Sequence, residues 1–351
     1  MRVDEFDYSL PEELIADRPA PERTGSRLMV VDRASGEIAH RRFSDLPTFL
    51  QSGDLLVVNN TEVIPARLMG AKRGGGAKIE ILLLEERSPL LWECIAQRAI
   101  RLSPGTIVDF QDGSHCEVIE VLGEGRFLFR FHPRGDWKEF LETNGETPLP
   151  PYILKRRGDL SEEDRLNLRS LDKDRYQTSY AWRPGSAAAP TAGLHFTKEL
   201  FAELKEKGIA QAQVTLHVGM DTFAPVTVDR VEDHQMKSEW CECPPPTRLA
   251  IHSAKTHGGR VVVVGTTTTR TLESFSRQGW PEGPIRTDLF LKPGDEFQVV
   301  DSLITNFHLP KSTLLMMISA FMGNDLRVRA YEEAVAQRYR FYSYGDAMLI
   351  L

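Results

Sequence analysis

The stretch between residues 65 and 149 constrains the fold of this chain more than any other feature. Turns containing glycine or proline recur in it at short intervals, and the runs between them are rich in β-branched and aromatic side chains. The turns lie at residues 74–76, 103–105, 112–113 and 123–125, and the strand candidates are residues 78–84, 91–96, 107–110, 116–121 and 127–131. This spacing predicts a small β-barrel or sandwich inserted into a larger domain.

Strands and helices alternate on both sides of that stretch. Residues 54–59 and 260–264 are apolar runs typical of buried strands, and residues 198–207 form a helix pattern with Thr197 as its N-cap. We therefore expect an α/β fold with two parts. They are a discontinuous large α/β domain (residues 1–64 and 150–351) and an inserted small β-barrel domain (residues 65–149).

The composition excludes several classes of protein. The 351 residues are 41% hydrophobic and 26% charged, which is ordinary for a globular protein and unlike disordered or fibrous chains. The longest nearly apolar stretch, residues 313–322, is about half of the roughly 20 residues that a membrane span needs. Acidic residues occupy the amino terminus, where a signal peptide would be apolar. We expect a cytoplasmic monomer without a membrane partner.

The four cysteines do not form a disulfide framework. Cys241 and Cys243 could join His234 as three metal ligands, but no fourth ligand follows at the spacing of a zinc site. We therefore expect reduced thiols and no metal.

The formal net charge of −7 does not exclude RNA, because phosphate binding depends on local basic patches. Each basic cluster in the chain is also compatible with an ordinary solvated surface. The candidate RNA-binding residues are Arg67, Lys72 and Arg73 in one cluster and Lys155, Arg156 and Arg157 in another. A third basic cluster, which is not among these candidates, contains Arg126, Arg130, Arg134 and Lys138.

Four polar stretches are the candidates for a small-molecule site. Each places glycine or hydroxyl residues near a helix start or a strand end, where free backbone N–H groups can hold an anion. Three contain histidines, His195, His217 and His308, which can transfer protons near neutral pH. Ordinary helix-start turns explain the same residues without function. The stretches are residues 190–197, 217–225, 265–270 and 305–312.

The same stretches hold two long runs of unusual composition, Pro-Thr-Ala-Gly-Leu-His-Phe at residues 190–196 and Thr-Asn-Phe-His-Leu-Pro at residues 305–310. On these and on further motifs the chain resembles, nearly end to end, the S-adenosylmethionine:tRNA ribosyltransferase-isomerases of queuosine biosynthesis. The further motifs lie at residues 26–28, 59–61, 63–68, 148–153, 176–178, 215–219, 265–267, 270, 272–274, 339–341 and 343–348. The resemblance implies a large α/β domain with a small β-barrel inserted.

The resemblance also implies the reaction. The ribosyl part of S-adenosylmethionine is transferred to the aminomethyl group of 7-aminomethyl-7-deazaguanine at the tRNA wobble position and isomerised. Epoxyqueuosine in tRNA is the product, and adenine and methionine leave. S-adenosylmethionine is a consumed co-substrate, no further cofactor or metal is needed, and the partner is a tRNA with a queuosine-type anticodon.

This chemistry needs a base at the ribose 5′ carbon, a proton donor for adenine and groups that face a sulfonium. The catalytic candidates are His195, His217 and His308, with Glu239 and Glu273 as carboxylate alternatives. His195 is the first choice because its turn leaves backbone N–H groups free beside it. The expected substrate-binding residues are Pro190, Thr191, Ala192, Gly193, Phe196, Gly265, Thr266, Thr267, Arg270, Asp288, Asn306 and Phe307.

Four positions depart from the family's usual pattern. Glu62 stands where an arginine is common, Asp221 replaces a glycine, Ala224 replaces a polar or basic residue, and Lys237 replaces a histidine. These departures leave open a diverged S-adenosylmethionine-dependent transferase with another acceptor. The basic clusters leave open a second alternative, a non-catalytic RNA-binding protein.

Overall fold

The structure is a computed structural model that describes residues 1–97, 102–158, 160–219 and 226–351. Its helices are α1 (Trp137–Asn144), α2 (Pro151–Arg156), α3 (Glu162–Arg175), α4 (Lys198–Glu206), α5 (Pro245–Thr256), α6 (Thr266–Arg277), α7 (Thr313–Met322) and α8 (Asn324–Ala336). Its strands are β1 (Arg27–Val31), β2 (Ile38–Arg42), β3 (Leu55–Asn59), β4 (Thr61–Val63), β5 (Arg67–Lys72), β6 (Lys78–Ser88), β7 (Leu91–Gln97), β8 (Ile107–Asp109), β9 (His115–Gly123), β10 (Arg126–His132), β11 (Gly145–Glu146), β12 (Arg183–Ser186), β13 (Ala210–Leu216), β14 (Glu239–Glu242), β15 (Val261–Val264), β16 (Ile285–Thr287), β17 (Ser302–Asn306) and β18 (Ala347–Ile350).

A nine-stranded sheet lies at the centre of the larger part of the molecule, in the order β16-β14-β13-β3-β15-β17-β18-β1-β2. The four strands β13, β3, β15 and β17 run parallel to their neighbours in that group. Along β3, Leu55 and Val57 face a core shared with α5 to α8, while Leu56 and Val58 face a second core shared with α4. Burial on both faces explains why β3 and β15 are almost entirely apolar.

The second sheet closes on itself. Strands β5, β6, β7, β10, β9 and β8 follow one another in antiparallel pairs, and β8 returns to pair with β5 at Ala71 and Lys72. Gly70 lies at this closure, where a Cβ atom would meet Val108 Cγ1 at 2.4 Å, so the two backbones approach closely only because residue 70 lacks a side chain. The predicted α/β fold with a small β-barrel is therefore confirmed. The domain boundaries at residues 65 and 149 stay a prediction.

The helix ends show how local sequence acts. Thr197 Oγ1 accepts a hydrogen bond from the Leu200 N–H and Ser312 Oγ accepts one from the Leu315 N–H, as expected of N-caps. Helix α4 ends one residue before the predicted limit, at Glu206. Among the described residues, no helix combines the length and the apolar composition that a membrane crossing requires.

The parallel strands direct the polar stretches to one edge of the large sheet. β13 ends just before His217, β15 just before Gly265, and β17 at Asn306. Gly265 has φ +87°, a conformation that favours glycine, and turns the chain directly from β15 into α6. Because carboxyl ends of neighbouring parallel strands lie together, this edge is the place to look for a binding site.

Candidate functional site

Two cavities lie along this edge, and they differ greatly in size. The large cavity has a volume of about 1260 Å³ and lies between the β-barrel and the large sheet. The small cavity has about 50 Å³, and residues 218–219 and 312–314 lie between the two. Among the described residues, the large cavity is lined by Glu62–Pro65, Leu84–Arg87, Trp92, Glu93, Arg126, Trp137, Lys138, Leu141, Glu142, Thr147, Lys173, Tyr176, Gln177, Pro184, Gly185, His217, Gly219, Thr227, His234–Trp240, Arg286 and Thr313.

Three of the four predicted stretches line the small cavity. They contribute Pro190, Thr191 and Ala192, then Gly265, Thr266 and Thr267, and finally Asn306, Phe307 and His308. The fourth stretch divides between the cavities, because Val218 lines the small cavity and His217 lines the large one. Gly193 is buried beside Tyr180, whose hydroxyl would lie 2.1 Å from a Cβ at that position. The predicted residues therefore surround two separate spaces.

His195 is a buried histidine with a partner at each ring nitrogen. The Asn306 amide nitrogen donates to the carbonyl oxygens of Tyr342 and Ser343, so Asn306 Oδ1 faces the imidazole. His195 Nε2–H therefore donates to Asn306 Oδ1 over 3.0 Å, and Nδ1 accepts from Ser26 Oγ over 3.1 Å. Burial lowers the pKa of His195, which stabilises the neutral ring. This arrangement holds the turn after β17 and leaves no ring nitrogen for a substrate.

His308 is half-buried, and the two phenylalanines of the motifs are fully buried. His308 Nε2 lies 2.8 Å from Thr305 Oγ1, and burial lowers the pKa of His308 to about 3. Phe307 packs among the rings of Tyr331, Tyr339 and Phe341 in the core, and Phe196 packs in the core on the opposite side of the sheet. Neither phenylalanine presents an accessible ring face to a large ligand.

His217 is the predicted histidine that lines the large cavity. Its ring stacks on Trp240 with centroids 5.0 Å apart and an interplanar angle of 16°. Gly185 covers the ring closely, since a Cβ there would come within 3.0 Å of Nε2. Nδ1 lies 2.8 Å from Thr61 Oγ1, and Nε2 has no partner among the described residues. Burial, and then the charge of Arg183, lower the pKa of His217 to about 4, so the ring is neutral at physiological pH.

Glu239 lies at the wall of the large cavity and is joined to Arg270. Its Oε1 accepts from the Gly219 N–H over 3.0 Å, and its Oε2 accepts from Arg270 Nη1. Arg270 is only 1% exposed and also donates to the carbonyl oxygens of Leu289 and Thr287. The predicted substrate-binding arginine therefore acts inside the protein, where it positions the carboxylate that borders the cavity.

Two predicted carboxylates lie away from both cavities. Glu273 is fully buried, and its oxygens accept from the backbone N–H groups of Gln298, Val299 and Val300. It therefore anchors the chain ahead of β17 rather than facing a ligand. Asp288 is exposed beyond β16 and belongs to the lining of neither cavity among the described residues.

The first predicted RNA-binding cluster lies on the barrel and is paired with acids. Arg67 bonds to Glu80 at 2.8 Å, and Arg73 bonds to Asp109 at 2.5 Å. Lys72 is half-buried at the end of β5. These partners reduce the positive charge available to a phosphate.

The second cluster divides into exposed and buried members. Lys155 and Arg156 are exposed and contact Glu12. Arg157 is 7% exposed and bonds to Asp172 and to the Asp17 carbonyl oxygen, which places it in the interior rather than on a basic surface. None of the six predicted residues is among the described residues that line the large cavity, whose own cations are Arg87, Arg126, Lys138, Lys173, Lys237 and Arg286.

Several residues that line the large cavity were not among the site residues predicted from the sequence. Trp240 and Gln177 come from different parts of the chain, and Trp92 and Trp137 come from the barrel, where they stack with centroids 5.5 Å apart. His234, first considered as a metal ligand, also lines this cavity. Tryptophans next to polar residues are a signal for ligand surfaces, but nothing local in the sequence distinguishes them from core residues.

The departures from the family pattern fall partly within this site. Glu62 and Lys237 both line the large cavity. Asp221 and Ala224 lie outside the described residues. All four cysteines are buried free thiols, and the described residues contain no group of three or more His, Cys, Asp or Glu side chains arranged to hold a metal ion. The expectation of a metal-free reaction stays a prediction.

The molecule combines an α/β sheet with an inserted closed barrel, and the large cavity lies between them. The chain belongs to the family of queuosine biosynthesis proteins, whose model, described as "Queuosine biosynthesis protein", matches residues 3–350. This confirms the resemblance seen in the motifs.

Individual relatives agree over their whole length. A protein of Desulfitobacterium hafniense named S-adenosylmethionine:tRNA ribosyltransferase-isomerase is 48% identical over 360 aligned residues, which cover 100% of both chains. A protein of Halothermothrix orenii with the same name is 47% identical with the same coverage. The crystal structure of an S-adenosylmethionine tRNA ribosyltransferase from Thermotoga maritima is similar with a TM-score of 0.55 and 37% identity, over 99% of this chain and 100% of that chain.

Proposed function

We propose that this protein transfers and isomerises the ribosyl part of S-adenosylmethionine onto 7-aminomethyl-7-deazaguanine at the tRNA wobble position. Epoxyqueuosine in tRNA forms, and adenine and methionine leave. The observation that carries this proposal is the full-length identity of 48% to a relative with that name. We place the reaction in the cytoplasm, with the protein acting as a monomer on a tRNA with a queuosine-type anticodon.

Size favours the large cavity as the reaction site. Cavities that bind small molecules usually measure about 300–1,000 Å³. A space of about 50 Å³ holds water and is too small for S-adenosylmethionine. The large cavity, at about 1260 Å³, has room for S-adenosylmethionine together with one nucleoside of the tRNA. The polar turns around the small cavity would then pack behind the wall of the large cavity and support it.

We assign proton transfer in the large cavity to His217. If Nδ1–H donates to Thr61 Oγ1, the Nε2 lone pair faces the cavity and can remove a proton from the ribose 5′ carbon, whose acidity the neighbouring sulfonium increases. The depressed pKa of His217 keeps this base unprotonated at neutral pH. Thr61 is the positioning residue, because its hydroxyl holds the imidazole ring in place through Nδ1.

The cation of S-adenosylmethionine has suitable partners in the same space. Glu62 and Glu239 supply carboxylates, and the ring of Trp240 supplies an aromatic face. Glu239 is held in place by the Gly219 N–H and Arg270, so it can meet a positive group without moving. Among the basic residues of the cavity, Arg286 bonds to Glu85 and Lys138 lies 3.9 Å from Glu142, so a tRNA phosphate would compete with these acids for them.

Incubation of the purified protein with S-adenosylmethionine and a tRNA that carries 7-aminomethyl-7-deazaguanine tests this proposal. We expect release of adenine that depends on this tRNA, and epoxyqueuosine in the nuclease digest. The matched control is the same tRNA with guanine at the wobble position. Absence of adenine release under these conditions would refute the proposal.

A second candidate is a diverged transferase that uses another acceptor, which Glu62 and Lys237 in the cavity wall favour. Glu62 in place of an arginine removes a potential phosphate contact. Lys237 in place of a histidine changes the proton donors available in the cavity. Adenine release without the modified tRNA would support this second candidate. Binding of tRNA without any release would instead indicate a non-catalytic RNA-binding protein.

A further inference from the structure

A third space, a groove of about 620 Å³, lies beside the large cavity and has no role in the reaction proposed above. Its lining includes Trp182, which is 60% exposed, whereas the other four tryptophans of the chain, all in described segments, are buried or half-buried. We call it the Trp182 groove. Tyr180, Trp182, Lys198, Phe201, Gln213 and Pro244 are among its lining residues.

The indole of Trp182 is held in one orientation despite its exposure. Its Nε1–H donates to Gln213 Oε1 over 2.9 Å, and the same oxygen accepts from Asn60 Nδ2. Thr215 Oγ1 donates to Asn60 Oδ1 over 2.7 Å, which fixes the amide in turn. A large ring that is both exposed and oriented loses little conformational entropy when a flat ligand stacks on it.

Charge indicates what kind of flat ligand fits. Lys198 lies exposed at the start of α4 on the groove wall, and among the described residues it has no ion pair. Gln211 and Gln213 add amide groups that can bond to the edge of a base. An aromatic face next to an exposed lysine that forms no ion pair among the described residues is a combination that binds a nucleobase and its phosphate.

The groove lies close to the proposed reaction site along the chain. Trp182 is two residues from Pro184, which lines the large cavity, a separation of at most about 7 Å along an extended chain. The guanidinium carbon of Arg183, the residue between them, lies 5.1 Å from the centre of the Trp240 ring, and that ring stacks on His217. A nucleotide next to one bound at His217 can therefore reach Trp182.

We propose that the Trp182 groove binds the tRNA nucleotide adjacent to the modified one, with its base stacked on the indole and its phosphate at Lys198. This inference rests on the proposed function, because it takes tRNA as the substrate. It assigns to Trp182 a role in tRNA affinity and none in the chemical step.

Trp182→Ala tests the proposal, with Trp182→Phe as the variant that keeps an aromatic face. Loss of one base–aromatic stack should weaken tRNA binding and raise the KM for tRNA roughly 5- to 100-fold. The KM for S-adenosylmethionine and the kcat at saturating tRNA should not change, and Trp182→Phe should recover most of the affinity. Leu122→Ala, which truncates an exposed apolar residue on the barrel strand β9, is the matched control and should bind tRNA normally.

Anticodon stem-loops with an abasic nucleotide on either side of the wobble position identify the stacked base. One of the two abasic stem-loops should bind the wild-type protein weakly. Trp182→Ala should bind that abasic stem-loop as tightly as it binds the intact stem-loop. Lys198→Gln should reduce the salt slope of binding by about 0.7, the value for one single-strand phosphate contact.

The inference can fail separately from the proposed function. If the wild type releases adenine only with the modified tRNA but Trp182→Ala keeps wild-type tRNA affinity, the function stands and the groove has been misassigned. Additive losses from Trp182→Ala and each abasic position would also overturn it. A change of oligomeric state in Trp182→Ala, measured by sedimentation, would show that the groove binds a second copy of the chain instead.

Discussion

The two cavities at the carboxyl edge of the sheet differ in how their polar groups are used. Around the small cavity, the imidazole of His195 and the amide of Asn306 satisfy each other and nearby backbone groups. At the large cavity, His217 has one nitrogen bound to Thr61 and the other without a partner among the described residues. A histidine in a distinctive motif can therefore be structural. A ring nitrogen that has no partner and faces a large cavity is the stronger indication of a catalytic role.

This comparison also changes the order of the candidates. His195 was the first choice from the sequence, because a turn of small residues at a helix start leaves backbone N–H groups free beside it. In the structure those same small residues let the turn pack closely against β17, and the imidazole fills the remaining space against Phe43, with ring centroids 4.9 Å apart. The role proposed for His195 is therefore to position Asn306, and His217 takes the place of the proposed base.

His217→Gln should produce the largest effect. Loss of a general base typically lowers turnover by roughly 100- to 10,000-fold. The variant should unfold in urea at nearly the wild-type midpoint, because the residue it replaces makes one hydrogen bond and borders a cavity. Steady-state adenine release and urea titration measure the two quantities. Turnover within a factor of three of wild type would show that the comparison of the two histidines is wrong.

His195→Phe should lower stability and leave turnover nearly unchanged, which is the reverse of His217→Gln. Phenylalanine leaves Asn306 Oδ1 and Ser26 Oγ without their buried partner, which costs about 1–3 kcal/mol in the free energy of unfolding. Turnover per folded molecule should stay close to that of the wild type when it is measured well below the melting temperature. A folded variant with a turnover reduced more than a hundredfold would return His195 to the catalytic candidates.

The free energy of unfolding should fall as the pH is lowered below the ordinary pKa of histidine. The pKa values of His217 and His308, about 4 and about 3 in the folded protein, lie below the ordinary value near 6.5. Between pH 6.5 and about 4 the unfolded chain therefore binds more protons, so the free energy of unfolding decreases by up to about 1.4 kcal/mol per pH unit for each histidine. Urea titrations from pH 8 to pH 4 measure this slope, and His217→Gln should reduce it.

Arg183→Gln should produce the smallest effect. It tests one of the two causes of the low pKa of His217. Burial is the main reason for the low pKa of His217, and the positive charge of Arg183 is the second. Removal of that charge should move the acid limb of kcat/KM upward by less than about one pH unit. The control is Arg87→Gln, which removes a cation from the barrel side of the same cavity. An equal displacement in both variants would contradict a specific contribution from Arg183.

Local patterns predicted much of the fold. The five strand candidates of the barrel correspond to β6 to β10, because alternating apolar residues between glycine turns admit few other structures. Strand β5 was missed, since Gly70 and the basic residues beside it resemble a loop, and only the pairing with β6 and β8 makes that segment a strand. The polar helix α3 was also missed, because few of its residues show an apolar face.

The sequence by itself determined the α/β class, the inserted barrel, the N-caps and the motifs that identify the family. These features depend on the preferences of neighbouring residues and on short runs of unusual composition. The tertiary structure alone decided which polar side chains bond to one another and which face open volume. Asn306 and His195 are 111 residues apart along the chain, and His217 and Thr61 are 156 apart. Hydrogen bonds over such separations depend on how the strands of the sheet are ordered, and no local pattern encodes that order.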